Sequence, residues 1–372
     1  MTSGTPAEVA AKHSRIAAIL SDRGLDALVL TSAGSLSWLL AGARVTVSAA
    51  GDPILMALVT RDRIHLGIYS NEVERILAEE VPASVTDDDF IAVRPVPWFE
   101  PLNSFVDSVA GSKTWTIGAE VEHASELRSA RAVLLAGELD RYRALCRDAA
   151  AAMTDVLGNA EPGMRECDLS AALAGNLRSK GAEPLVLLAS GESRAHHRHP
   201  LPTEALLGRR AMLVTSARRH GLIANVTRWV RFGEPADGEL ELESKLLDVE
   251  SDIFSDLEDG RPLSAVLPLI REAYPRRGFH AQEWTRHHQG GAAGYVGRDP
   301  RLTEQVPDTI RNGQAFAWNP SAYSAALGLG VKVEDTVVFD GDREDAIDVL
   351  TVDDRWPTVS VHGIARPVPL QL

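Results

Sequence analysis

Short apolar runs alternate with amphipathic stretches over the first 130 residues of the chain. Ile16, Ile19 and Leu20 have helical spacing and the stretch ends at Gly24, which predicts a helix with a glycine cap. NEVERILAEEV predicts a second helix. Apolar runs of strand length lie at residues 25–31, 54–60, 63–69 and 114–120. Strands that alternate with helices predict a small α/β domain over residues 1–133.

The pattern changes after this domain. A long amphipathic stretch predicts a helix over residues 136–157, and a Pro-Gly turn then leads to another helix with Asp168 near its start. From residue 184 onwards, apolar segments such as LVLLAS and AMLVTS alternate with polar turns, and helices are predicted at 241–257 and 263–274. Residues 134–372 are therefore predicted to form an α+β domain, an antiparallel sheet covered by helices.

Composition narrows the class of partner. The chain has 372 residues, 45% hydrophobic and 24% charged, which is typical of a folded protein with room for two cores. A net charge of −14 argues against nucleic acid or an anionic membrane as a partner. The first residues are polar and no apolar run approaches the roughly 20 residues of a membrane span. Cys146 and Cys167 are expected to be free thiols, which fits a cytoplasmic location.

Three polar-ended segments follow one another late in the chain. They are HHQGGAAGYVGRD (287–299), NGQAFAWNPS (312–321) and GVKVEDTVV (330–338). Strand ends of this kind are expected to converge on one pocket. The glycine run does not open a predicted helix, as a phosphate-binding loop should, so we interpret it as close strand packing around His288.

The order of these segments resembles the pita-bread superfamily of creatinase, aminopeptidase P, prolidase and methionine aminopeptidase. RIAAILSDRGLDALVLTSAGSLSWLLAG looks like the start of a creatinase-type N-terminal domain, and GAEPLVLLASGES, HPLPT, ANVTRWVRFG, GQAFAWNPS and VKVEDTVV look like successive segments of the catalytic domain. The resemblance implies a pita-bread C-terminal domain after a creatinase-type N-terminal domain. It also implies a homodimer.

In the peptidase members, two Asp, one His and two Glu hold two metal ions. By resemblance, the first Asp position falls within Val214–Ser216, where there is no carboxylate, and the second falls on Asn225. The histidine falls on His288, the first glutamate on Asn319 and the last on Glu334. Two dications need anionic ligands, and amides supply no charge. The resemblance therefore implies no dinuclear centre and no expected cofactor, with a single ion on His199, His288 and Glu334 as the alternative.

His199 matches the family histidine that lies beside the substrate, and an ordinary pKa near 6.5 suits it to proton transfer. We predict His199, His288 and Glu334 as catalytic residues, with His288 as a second proton carrier or anion stabiliser and Glu334 orienting water or a cationic group. Asn225, Arg228, Asn319 and Trp318 are predicted to bind substrate; Arg228 could instead partner Glu334, and Trp318 could be core. His196 and His197 are expected to be solvated.

The expected function is metal-independent hydrolysis of a C–N bond in a small amide, amidine or amino-acid-derived substrate, or in a short peptide. Two alternatives remain open from the sequence. One is an inert pseudo-peptidase that binds a peptide or protein in the old cleft. The other is a lyase or another non-hydrolytic enzyme on the same scaffold.

Overall fold

The computed structural model describes residues 4–82, 90–343 and 346–372, and the chain divides into two compact units. Unit 1 comprises Met1–Arg141 with His220–Leu222, and unit 2 comprises Tyr142–Arg219 with Ile223–Leu372. The sequence-predicted boundary at 133–134 lies just before the helix Ala136–Leu157, whose first residues group with unit 1. Within the described residues, no helix is both long enough and apolar enough to cross a membrane.

Unit 1 is built on one five-stranded mixed sheet, as an α/β pattern predicts. Its strands are β1 (Ala27–Leu30), β2 (Leu55–Thr60), β3 (Ile64–Tyr69), β4 (Ile91–Val96) and β5 (Ile117–Ala119), in the order β4-β3-β2-β1-β5. Its helices are Pro6–Arg23, Ala33–Leu39, Val73–Glu79, Ser104–Ala110 and Ala124–Ala132. The predicted glycine cap is confirmed, since Gly24 ends the first helix at φ 64. Strand β4 and the helix after it were not predicted from the sequence.

Glu120 ties β5 to the loop before the helix Ala33–Leu39. Its carboxylate accepts hydrogen bonds from the backbone N–H groups of Thr31 (2.6 Å) and Ser32 (2.8 Å). The hydroxyls of Ser32 and Ser35 also donate to it, each at 2.5 Å. Burial alone raises the pKa of Glu120, but these hydrogen bonds outweigh burial and hold it below its usual value. The carboxylate is thus a structural anchor of unit 1.

Unit 2 is the predicted α+β domain. Its helices, beside the shared Ala136–Leu157, are Glu166–Ser179, Glu239–Ser255 and Val266–Arg276. Its strands are β6 (Glu183–Ser190), β7 (Arg210–Arg219), β8 (Leu222–Arg231), β9 (Gly290–Ala292), β10 (Gln314–Trp318), β11 (Ser321–Ser324), β12 (Leu329–Lys332), β13 (Asp335–Phe339), β14 (Ile347–Val349), β15 (Thr358–Val361), β16 (Ile364–Pro367) and β17 (Leu370–Gln371).

Two four-stranded sheets dominate unit 2, with orders β17-β8-β7-β6 and β14-β13-β10-β9. Most of the paired strands are antiparallel, but the edge strand β17 runs parallel to β8. The second sheet packs against the helices Glu239–Ser255 and Val266–Arg276 in one apolar core. An isolated bridge between Thr227 on β8 and Glu334 just before β13 joins the two sheets, with Thr227 N–H donating to the Glu334 carbonyl at 3.0 Å.

A four-charge network is buried beside this bridge. Asp335 pairs with Arg228 at 2.8 Å and with Arg366 at 2.7 Å, and Arg366 also pairs with Glu250 at 2.7 Å. All four side chains are buried. Burial raises the pKa of Glu250 to about 7 against the opposing effect of Arg366, and the nearby Asp335 carboxylate raises it further. The network is balanced in charge, but it holds Glu250 close to its titration point.

Candidate functional site

Three histidines of unit 2 come together. His199 lies in the loop that follows β6, while His287 and His288 directly precede β9. The Nε2 atoms of His199 and His287 are 3.0 Å apart, and the rings of His287 and His288 stack at 4.5 Å between centroids. One ring nitrogen from each histidine lies within 4.8 Å of the others. His199 is exposed and His287 is buried, so the cluster runs from the surface into the interior.

Close strand packing delivers these histidines. Gly290 and Gly291 have φ of 118° and 145°, a region that favours glycine. A Cβ on Gly290 would overlap the carbonyl oxygen of Ala317, and a Cβ on Gly291 would overlap that of Pro300. The prediction of close packing is therefore confirmed. Because these two glycines have no side chains, the segment 298–302 can lie directly along β9, and Leu302 N–H donates to the Gly290 carbonyl at 2.9 Å.

That segment brings a cation to the predicted carboxylate. Arg298 Nη2 lies 2.5 Å from Glu334 Oε1, Lys332 Nζ lies 3.5 Å from Oε2, and the Thr227 hydroxyl donates to Oε2 at 2.9 Å. Burial alone raises the pKa of Glu334, but Lys332, Arg298 and these hydrogen bonds hold it at about 2. The predicted role of orienting a cationic substrate group is wrong in this geometry, since the protein's own cations already engage the carboxylate.

The surroundings of the three histidines favour their neutral forms. Burial lowers the pKa of all three, and nearby cations lower it further: Lys332 acts on His199 and His287, and Arg298 and Arg301 act on His288. The pKa of His288 falls to about 3. The neutral form of His288 is therefore favoured, so any stabilisation of an anion would use a ring N–H. Its predicted roles as second proton carrier or anion stabiliser stay predictions.

The two positions to which the resemblance assigns aspartates carry no carboxylate. Asn225 accepts a hydrogen bond from the Ser216 hydroxyl at 2.8 Å through Oδ1, and its Nδ2 donates to the Ile223 carbonyl at 3.3 Å. Val214 packs with Leu188, Met212 and Trp229 in an apolar cluster. Asn225 is therefore tied to the β7–β8 hairpin, but its amide oxygen and nitrogen each have one further hydrogen-bonding position, so its contact with substrate stays a prediction.

The other predicted substrate-binding residues divide sharply. Asn319 is buried and its Oδ1 has no partner among the described residues, so it remains a candidate. Trp318 is fully buried and stacks on Phe316 in the core, so its assignment to the pocket is wrong. Arg228 is committed to Asp335 and to the Thr351 carbonyl at 2.7 Å. It does not pair with the Glu334 carboxylate and is not available for a substrate carboxylate.

The residues present do not fit a dinuclear metal centre. Two dications need several anionic ligands, and the site supplies one carboxylate that already pairs with Arg298 and Lys332. The set predicted for a single ion also changes, because the histidine that joins His199 and His288 is His287 rather than the paired Glu334. Three neutral imidazoles are suitable donors for one transition-metal ion, but Lys332 and Arg298 repel a dication placed there.

Sequence reasoning missed His287, Arg298 and Lys332. His287 could have been proposed from the sequence, because it directly precedes His288. Lys332 could also have been proposed, because the alternation of side chains along VKVED places it on the same side as Glu334. Arg298 had no comparable signal, because only the path of the segment after the glycines brings it to Glu334.

Comparison with known proteins agrees with this architecture. The model of metallopeptidase family M24 matches residues 140–340. Dipeptidase PepE from Mycobacterium ulcerans superposes with a TM-score of 0.76 at 16% identity, covering 99% of this chain and 100% of its own. An Xaa-Pro dipeptidase from Bacillus anthracis superposes with a TM-score of 0.73 at 18% sequence identity, covering 98% of this chain and 100% of its own. The N-terminal domain of the FACT complex subunit SPT16 from Cicer arietinum superposes with a TM-score of 0.67 at 12% sequence identity, covering 92% of this chain and 96% of its own. No curated protein matches the sequence.

Proposed function

This chain belongs to metallopeptidase family M24, and on that premise we propose that it hydrolyses a C–N bond without the paired metal ions of the peptidases. The substrate is a small amide, amidine or amino-acid-derived compound, or a short peptide. The family supports a hydrolase of the peptidase kind, while the donor set described above argues against the dinuclear mechanism. The homodimer that the pita-bread resemblance implies is part of the same proposal.

The observation that carries the proposal is the 3.0 Å contact between His199 Nε2 and His287 Nε2. One ring donates a hydrogen bond to the other, so each fixes the tautomer of its partner. When His199 Nε2–H donates to His287, the exposed ring of His199 offers Nδ1 as a base. A buried histidine that orients an accessible one is an arrangement suited to general acid–base catalysis.

In this scheme water attacks the carbon of the C–N bond and forms the new C–O bond. His199 Nδ1 accepts the proton of that water and then returns it to the leaving nitrogen as the C–N bond breaks. His287 holds the imidazole in position. Asn319 Oδ1, which has no partner within the described part of the chain, accepts a hydrogen bond from a substrate N–H. Glu334 acts as a positioning residue, because it fixes Arg298 and Lys332 beside the histidines.

The test is a screen of purified protein over Xaa-Pro dipeptides, small amides, ureas and amidines, with products followed by mass spectrometry. Wild-type protein treated with a chelator is compared with untreated protein. His199→Ala is compared with His196→Ala, which removes an exposed neighbouring histidine from the same loop. We expect turnover that resists the chelator and falls by roughly 10²–10⁴-fold in His199→Ala alone, the usual contribution of a general acid–base group.

Two outcomes contradict the proposal. Turnover that disappears with the chelator and returns with a divalent ion shows a metal mechanism. Folded His199→Ala protein that keeps full turnover shows that His199 is not the proton-transfer group. Peptide binding with no turnover on any substrate class supports the inert alternative.

A further inference from the structure

We propose that Lys332 and Arg298 form an anion-binding subsite in this pocket, which takes a small oxyanion where the metallopeptidases hold cations. The proposal rests on the proposed function only for the source of the oxyanion. That source is either a carboxylate of the substrate or the oxygen that becomes negative when water attacks. Binding itself requires no turnover.

Charge counting is the first argument. The side chains of Lys332, Arg298 and Glu334 are only 4%, 9% and 5% exposed, respectively. Two cations therefore share one carboxylate in a site largely closed to water. The other charged group that acts strongly on Lys332 is Arg198, which is itself paired with Glu283. When all three groups are ionised they carry one excess positive charge, and burial and Arg298 accordingly lower the pKa of Lys332. A buried unpaired charge is costly unless a counter-ion joins it.

Free hydrogen-bond donors are the second argument. Among the described residues, the Glu334 carboxylate is the one group paired with the Lys332 ammonium, at 3.5 Å. An ammonium carries three donors. Arg298 Nε is buried and has no partner in the same set of residues. The donors that remain are of the type that binds carboxylate and phosphate oxygens best.

The position of these donors is the third argument. Lys332 ends β12, and Arg298 lies in the segment that packs along β9. Both act electrostatically on the histidine cluster, Lys332 on all three rings and Arg298 on His288. An oxyanion held here lies beside the group that would transfer the proton. The two cations thus supply the electrostatic stabilisation that metal ions supply in the relatives.

The experiment is calorimetric titration of the full chain with acetate and, separately, with inorganic phosphate, at constant ionic strength. Lys332→Met removes the excess charge, and Lys245→Met is the matched control because that lysine lies on the surface and pairs with Glu241. We expect Lys332→Met to weaken anion binding at least tenfold and Lys245→Met to leave it unchanged. Glu334→Gln adds one unit of net positive charge, so we expect anion binding to tighten.

Titration with zinc should show the opposite effect of Lys332→Met from titration with anions. Removal of the Lys332 charge should strengthen zinc binding at the three histidines, because a repelling charge is lost. Acetate binding supports a substrate carboxylate as the source, whereas binding of phosphate alone supports a tetrahedral oxyanion. The proposal is overturned if neither anion binds the wild type, or if Lys332→Met binds them as the wild type does. One-to-one zinc binding by the wild type without anion binding also overturns it. Should Lys332→Met fail to fold, Lys332→Arg is the second variant, and retained anion binding is expected there.

Discussion

Arg366 links two buried carboxylates, and its replacement by Met is the sharpest test of the network in unit 2. The guanidinium is 1% exposed and donates to Glu250 Oε2 through Nε and to Asp335 Oδ2 through Nη2, both at 2.7 Å. Met keeps much of the apolar stem but removes the charge. Asp335 retains Arg228 and the Thr351 hydroxyl, at 2.8 and 2.5 Å. Glu250 loses the one group with which it pairs within the described residues.

The loss of unfolding free energy in Arg366→Met has a constant part and a part that depends on pH. Removal of one partner from a buried pair costs about 3–5 kcal/mol when the remaining group stays charged, and protonation of that group lowers this cost. Without Arg366, the pKa of Glu250 rises further, so the folded variant keeps this carboxyl protonated above pH 7. Each pH unit above about 7 then costs the variant about 1.4 kcal/mol that the wild type does not lose, because wild-type Glu250 ionises at about that pH. The difference in unfolding free energy at pH 8 should exceed that at pH 6 by about 1.4 kcal/mol.

Urea unfolding at pH 6, 7 and 8, followed by tryptophan fluorescence and circular dichroism together, measures this difference. Arg355→Met is the control, since Arg355 pairs with Asp353 at the surface and is 56% exposed; its midpoint should stay at the wild-type value. A loss below about 1 kcal/mol at pH 8, or a loss equal at all three pH values, would refute the reasoning.

Three further changes probe other parts of the chain. Glu250→Gln removes a carboxyl whose raised pKa makes the folded wild type less stable as pH rises from 4.5 to about 7. The unfolding free energy of the variant relative to the wild type should therefore increase across that window, by at most about 3 kcal/mol in chemical denaturation at pH 8. Gly290→Ala should cost at least about 2 kcal/mol in the same assay, because it adds a clash to backbone strain, whereas Gly233→Ala, with open space around it, should cost about 1. Glu120→Gln should lower the melting temperature of unit 1, corresponding to about 1–3 kcal/mol, since an amide NH2 faces donors there; an unchanged melting curve would contradict this account.

Much of the fold follows from local sequence signals. The α/β pattern of unit 1, the long helix Ala136–Leu157 and the strand set of unit 2 all carry periodicity that is visible in the sequence. Strand β4 was missed because its residues IAVRPV include a proline and an arginine, which weaken the apolar signal. Proline is tolerated there because β4 is an edge strand, a fact that only the assembled sheet reveals.

The site was less predictable, because its chemistry depends on pairings that are distant in sequence. The resemblance pointed to Glu334, but its partner Arg298 arrives through a segment that lies 36 residues earlier in the chain. Arg228 shows the reverse case. As a polar residue beside the Asn225 position it suggested substrate contact, yet alternation along β8 sends it to the opposite face and to Asp335. The sequence thus placed Arg228 on the correct strand, but the side chain points to the opposite face from the one that substrate contact requires.

The bridge between Thr227 and Glu334 has a consequence for how the strands find their alignment. Neighbouring residues on each side of this bridge serve two separate charge systems: Thr227 contacts Glu334 in the pocket, while Arg228 contacts Asp335 in the buried network. A slip of the Glu334–Asp335 segment by one residue would exchange the faces of these two side chains relative to Thr227 and Arg228. Asp335 would then turn towards Arg298 in the pocket, and Arg366 would lose a carboxylate partner. A one-residue slip would therefore break both charge systems at once, so the pocket and the buried network require the same alignment of these strands.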